Sequence, residues 1–319
     1  MTQTVKKLIE RYRPAHPPSR YGSIYYDTSD FMRISYGDVI SLQDQYYLVL
    51  RDEKERSYGI EDPKYWVKRC QKLDTGERRI LKLVFHETFP VKIGDLEICC
   101  YRSPEKEARI LKLVANDPRF MQGVALEDSK KNNVRILEIV RGKRLDQIID
   151  EIETDHHTYF FEIFPEILKK FISACEAISF LNKHGEKHGD IRRDHLWVEK
   201  GTGQYRWIDF DYTFHAHENP FGLDIFGLGT LLLYLTGKGY YTLQNMQERG
   251  ISKQAIDSLE KDDFCLLFHN RLTNLKKILQ YIPQELNLVL MHFSKKAETF
   301  YENVDELIAD LNICLQKLT

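Results

Sequence analysis

The chain contains no apolar run of about 18 residues, the length a helix needs to cross a bilayer. Its six cysteines (Cys70, Cys99, Cys100, Cys175, Cys265 and Cys314) form no CxxC pair and no other metal-ligand spacing. Neither a zinc site nor a disulfide framework is indicated. Cys99 and Cys100 are adjacent, and neighbours on a strand point to opposite faces. Buried free thiols in a reducing compartment fit this usage best. Met1 to Lys7 lead into no apolar h-region, so no signal peptide is expected and the expected location is cytoplasmic. The net charge of −2 gives no reason to expect nucleic acid or an anionic membrane as the main partner. No internal repeat, low-complexity tract or interdomain linker is visible. What is present is a globular composition, 42% hydrophobic over 319 residues, enough for one large domain or two lobes with separate cores.

The most informative stretch runs from His188-Gly189-Asp190-Ile191-Arg192-Arg193-Asp194-His195 to Asp209-Phe210-Asp211. Between the acidic clusters lie two short apolar runs, Leu196-Trp197-Val198 and Trp207-Ile208, separated by the turn signal Gly201-Thr202-Gly203. The pattern predicts a polar loop, a strand, a tight hairpin, a second strand and a second polar loop. Such a hairpin brings Asp190 and Asp209 to the same end of the strand pair. Two carboxylates converging there can divide a phosphoryl transfer. One accepts the proton of an attacking hydroxyl, and the other holds a divalent metal on the phosphates.

The surrounding chain is read from its periodicity. Arg13 to Pro18 is an extended arm, because its prolines cannot continue a helix. Tyr25–Asp27 and Phe31–Ile34 suggest short strands. Tyr46–Leu50, Tyr65–Lys68 and Ile80–Phe85 are three further candidates, with Asp74-Thr75-Gly76 as the turn before the last. Ser103, Pro104 and Glu105 open a helix running to Val114, as N-cap, first-turn proline and first-turn acid. Val134–Val140 is a strand. Apolar residues spaced by three and four over Phe160–His184 mark a long amphipathic helix leading to His188. Residues 230 to 319 read as helices.

His188-Gly189-Asp190 and Asp209-Phe210-Asp211 resemble the catalytic and metal-binding loops of the protein-kinase-like superfamily. The resemblance covers roughly residues 45 to 315 and implies an α+β, bilobal protein-kinase-like fold. Residues 1–44 would be an N-terminal extension, 45–140 a β-rich N-lobe and 141–319 a mostly helical C-lobe. Asp190 would be the catalytic base and Asp209 a metal ligand. His195 stands where the family has a metal-binding Asn. Asp211, in the place of the family's glycine, is either a further oxygen ligand or a helix cap or solvated charge. Ile80-Leu81-Lys82-Leu83 stands where the family has Val-Ala-Ile-Lys. Lys82 would hold the α- and β-phosphates of ATP, with Lys68 as a rival. Glu107 would pair with Lys82, with Glu105 as the fallback. Gly59 is the single glycine where the family has a Gly-rich loop. Glu138, Ile139, Val140 and Gly142 would face adenine at the hinge, and Asp224 would tether the catalytic loop.

Two further departures accompany the match. No Ala-Pro-Glu lies between Asp209 and Asp224, and Phe300-Tyr301 replaces the Arg that pairs with that Glu in the family. The implied activity is transfer of the γ-phosphate of ATP, with Mg²⁺ or Mn²⁺, to a hydroxyl acceptor. A Ser/Thr protein-kinase-like activity is the first reading. His-Gly-Asp and His195 have parallels in aminoglycoside and choline kinases and in lipopolysaccharide-sugar kinases, so a small-molecule or glycan kinase is the second. A pseudokinase scaffold is the third. Imidazole suits Mn²⁺ better than Mg²⁺, and His195 therefore predicts tolerance of Mn²⁺.

Overall fold

The computed structural model describes residues 4–57, 60–93, 96–216 and 218–318. In chain order the strands are β1 (Ile24–Tyr25), β2 (Val39–Leu42), β3 (Gln45–Ser57), β4 (Ile60–Lys72), β5 (Arg78–Lys82), β6 (Thr88–Ile93) and β7 (Leu96–Arg102). They continue as β8 (Gly123–Glu127), β9 (Asn133–Glu138), β10 (Gly142–Arg144), β11 (Leu196–Glu199), β12 (Tyr205–Trp207) and β13 (Tyr212–Phe214). The helices are α1 (Val5–Tyr12), α2 (Pro104–Leu113), α3 (Leu145–Asp150), α4 (His156–Thr158) and α5 (Phe164–Lys183), then α6 (Gly222–Thr236), α7 (Lys253–Asp257), α8 (Gln284–Met291) and α9 (Val304–Leu318). The chain divides into two compact units, residues 1–87 with 102–140, and residues 88–101 with 141–319.

The first unit is built on one sheet in the order β1-β2-β3-β4-β5-β9-β8. Its pairs are antiparallel apart from β1 with β2. Alternation along β3, β4 and β5 sends Tyr47, Val49, Cys70 and Leu81 into one buried cluster with Ile34, Leu83 and Val134. A second cluster seats α1, whose Val5, Leu8 and Ile9 pack on Val39, Leu48 and Leu73. Residues 1–44, set apart as an extension by the resemblance, supply α1, β1 and β2 to this unit. Asp128 binds the same region from the far side, accepting from Thr28 N and Thr28 Oγ1 at 2.7 Å each. Phe31–Arg33 is a single 3₁₀ turn in place of the expected strand, because so short an apolar pattern does not separate the two periods. The Ser103 hydroxyl caps α2 by accepting from Lys106 N at 3.2 Å, and Pro104 occupies its first turn.

The second unit centres on α5, which packs against α9 and α6. Its Phe164, Leu168, Phe171, Cys175, Ile178 and Leu181 are all fully buried. A wide π-type turn over Tyr159–Ile163 precedes it, and Pro165, which has no N–H to continue the ladder, sits in the first turn of α5. One three-stranded sheet runs β10-β11-β12, and another runs β13-β7-β6. The β6–β7 hairpin was not anticipated, although Phe89 to Tyr101 alternates around Gly94-Asp95. The α+β class is as expected, with the large sheet in the first unit and the long helices in the second. All six cysteines are free, and Cys99 is exposed where a buried thiol was expected. Among the described residues no helix is long and apolar enough to cross a membrane.

Candidate active site

In the first unit, β5 ends on Lys82, whose register partner on β9 is Arg135. Two cations are thus placed side by side in a buried strand pair. Glu107, on the inner face of α2, sits between them. Lys82 Nζ donates to Glu107 Oε1 at 2.9 Å, and Arg135 Nε donates to Glu107 Oε2 at 3.0 Å. The relative exposures are 4% for Lys82, 0% for Glu107 and 2% for Arg135. Burying charge is tolerated only when each ion is paired and its remaining donors are used. Arg135 meets that demand by also donating to the carbonyls of Asn133 and Leu83, at 2.6 and 3.3 Å. Its place in the apolar run Val134-Arg135-Ile136-Leu137 was the signal that sequence reasoning passed over. Glu105 is exposed on the outer side of α2. Lys68 is committed elsewhere: its Nζ donates to Ile34 O at 2.6 Å and to Asp52 Oδ1 at 2.7 Å.

Glu138 is exposed at the end of β9, its N–H donating to Gln122 O at 2.9 Å, and Ile139 and Val140 follow half-buried. Gly142 opens β10 in the second unit, where a Cβ would lie 2.0 Å from the carbonyl oxygen of Val198. Glycine is therefore required there for β10 to approach β11. Gly59 lies outside the described residues.

In the second unit, Leu196 of β11 pairs with Trp207 of β12, so Asp190 and Asp209 do flank the same end of that hairpin. Trp207 Nε1 anchors β12 to α5 by donating to Ala174 O at 2.9 Å. Asp224 in the first turn of α6 accepts from His188 N at 2.7 Å and from Gly189 N at 2.8 Å. Gly227 of the same helix lets Ile191 approach: a Cβ there would lie 2.6 Å from Ile191 Cβ.

His195 links the two acids. Its Nδ1 lies 2.8 Å from Asp190 O. A carbonyl can only accept, so Nδ1 donates, and in the neutral ring the lone pair is on Nε2. That nitrogen faces Asp209 Oδ2 at 3.6 Å. The gap is too long for a hydrogen bond; an imidazole nitrogen and a carboxylate oxygen are both donors that a divalent metal accepts. The residues therefore fit a divalent metal as a two-ligand seat. Among the described residues no three His, Cys, Asp or Glu side chains are grouped to hold an ion. Asp211 is buried nearby, 1% exposed.

Burial raises the pKa of Asp190; the charge of Arg192 pulls it down, and those of Asp209 and Asp211 push it up. Arg192 Nη1 stands 4.0 Å from Asp190 Oδ2 and holds Asp194 by a fork, Nε to Oδ1 at 3.1 Å and Nη2 to Oδ2 at 2.6 Å. Burial works to raise the pKa of Asp194, but the fork and charge of Arg192 hold it well below the usual carboxylate range. Arg193 lies 3.7 Å from Asp146 and stacks over Tyr234.

No protein-family model matches the sequence, and no curated protein matches it. Among solved structures the chain is similar to the PknI kinase domain of Mycobacterium tuberculosis, with 13% identity, a TM-score of 0.49, and 84% of this chain and 96% of that chain covered. A single-substitution mutant of that domain gives 12% identity, a TM-score of 0.48, and coverage of 84% and 95%.

Proposed function

We propose that this chain is an ATP- and metal-dependent phosphotransferase of protein-kinase-like type, acting in the cytoplasm on a hydroxyl acceptor, in the first instance a Ser or Thr of a protein. The observation that carries the reading is the Asp190–His195–Asp209 arrangement, a half-buried acid beside an imidazole whose Nε2 lies 3.6 Å from a second acid. Asp190 takes the proton of the acceptor hydroxyl as its oxygen bonds to the γ-phosphorus. The bond from that phosphorus to the bridging oxygen breaks, and ADP leaves. Asp209 and His195 are the metal ligands, with Asp211 as the nearest further carboxylate. A divalent metal held there would neutralise phosphate charge. Lys82, held by Glu107, serves the α- and β-phosphates. Glu138, Ile139, Val140 and Gly142 serve adenine through backbone groups, and Gly59 serves the phosphates.

A small-molecule or glycan acceptor is the second reading. It is supported by the short chain between Asp211 and α6, which carries the strand β13 and little else on which a protein substrate would dock. A pseudokinase scaffold has no use for the joint presence of Lys82, Glu107, Asp190 and Asp209. Incubation with γ-labelled ATP and Mn²⁺ or Mg²⁺, wild type beside Asp190→Ala, tests the proposal. Label on the protein or on an added acceptor, lost in the variant, is expected; a wild type that transfers no label to protein, sugar or water would leave only the scaffold.

A further inference from the structure

Asp209 has φ +63°, a left-handed conformation that non-glycine residues hold only where the surrounding chain over-determines it. Its upstream flank is fixed by β12 on β11 and by Ile208 N donating to His195 O at 3.0 Å. Its downstream flank, β13, does not belong to that sheet. It lies in the sheet β13-β7-β6, with strands supplied by residues 88–101, which fall far upstream in the sequence. Phe214 is fully buried with Ile98 and Cys100, against Val91, Ala216 and Leu223. Tyr101 Oη and His215 Nε2 are 2.8 Å apart, and Phe89 meets Tyr212 edge to face. Lys187, just ahead of His188, donates from Nζ to Phe214 O at 2.6 Å and lies 4.3 Å from the centre of its ring.

We propose that the β6–β7 hairpin is a positioning clamp for Asp209: by capturing β13 it fixes the downstream flank and keeps the left-handed Asp209 turn formed. The inference rests on the reading of Asp209 as the metal-binding acid, but its test does not. Tyr101 and Lys187 are positioning residues in this account, since they act through β13. The hairpin can be removed cleanly, because its base is already closed: Arg102 N donates to Glu87 O at 3.0 Å, and Arg102 Nε lies 2.9 Å from Glu87 Oε2.

Hydrogen exchange of the full chain decides the matter, with residues 89–100 replaced by a short Gly-Ser turn. The clamp predicts amides of residues 209–216 exchanging roughly 10-fold faster or more, with α5 and β5 unchanged. Tyr101→Phe, which removes one hairpin contact, gives a smaller increase confined to the same window and decides the point if the excised chain does not fold. Unchanged exchange over 209–216 overturns the proposal. So does faster exchange that extends through α5, since the hairpin would then be part of the general core. In a transfer assay the excised chain loses kcat more than it raises KM for the acceptor. A wild type without transfer activity, yet with hairpin-dependent protection, would end the kinase reading and leave the clamp standing.

Discussion

The two charged centres of this molecule are built on opposite principles. In the first unit, Glu107 shares its two oxygens between Lys82 and Arg135, and the three side chains are almost wholly removed from solvent. In the second, His195 Nδ1 lies 2.8 Å from Asp190 O and its Nε2 lies 3.6 Å from Asp209 Oδ2. In one centre a single carboxylate holds two cations; in the other a histidine lies between two carboxylates. The contrast teaches that the first fixes its groups in place through ion pairs, whereas the second, on the proposed reading, would receive a metal.

The largest expected effect lies in the second centre. Asp190→Asn is expected to lower phosphate transfer by roughly 10³-fold or more, since positioning and charge neutralisation supply most of the rate in such reactions. The same variant keeps its metal seat and still responds to ATP with Mn²⁺ in a melting experiment. The first centre should fail in stability instead. Glu107→Gln leaves two adjacent buried cations without their shared anion, and chemical denaturation should show a loss of about 3–5 kcal/mol. A loss below about 1 kcal/mol would mean that the centre is wetter than its exposures indicate. Lys68 sharpens the distinction. Lys68→Met removes donors to Ile34 O and Asp52 and should cost about 1–3 kcal/mol with nucleotide response retained, the reverse of Lys82→Met.

The smallest effect lies at a histidine of the second unit, His156. His156 has both nitrogens engaged, Nε2 donating to Thr236 O at 2.9 Å and Nδ1 accepting from Tyr281 Oη at 2.7 Å. Burial lowers its pKa to about 4 from 6.5, assisted by the charges of Arg249 and Lys238, against the hydrogen bond to Thr236. Between these values the unfolded chain binds the extra proton and the folded chain does not. Stability from this group is therefore complete above about pH 6.5 and declines as pH falls towards 4. His156→Gln should flatten that part of a melting-temperature profile against pH; an unchanged slope would show that other groups set it.

The extent to which this was legible in the sequence follows the range of the interactions. The hairpin joining Asp190 to Asp209 and the Ser103 cap of α2 were readable, because each is set by residues a few positions apart. The Lys82–Glu107 pair needed the resemblance, since spacing alone does not bring a strand end to a helix face. Arg135 was hidden by its apolar neighbours: a cation in a buried strand is explained only by a partner elsewhere in the chain. The capture of β13 by residues 88–101 was illegible for a related reason. Alternation announces a hairpin but does not say which strand it will join. The arm at residues 1–44 shows the same limit, for its two-residue strand β1 is defined by the sheet it enters.

Melting of the purified chain with ATP and Mn²⁺, wild type beside Asp209→Asn, tests the Asp190–His195–Asp209 centre most directly. A ligand at a hundredfold excess over its Kd adds about 2.7 kcal/mol to the folded state. The account predicts that the wild type melts several degrees higher with ATP and Mn²⁺ together and that Asp209→Asn shows no such rise. Equal shifts in the two proteins, or none in the wild type, would contradict it.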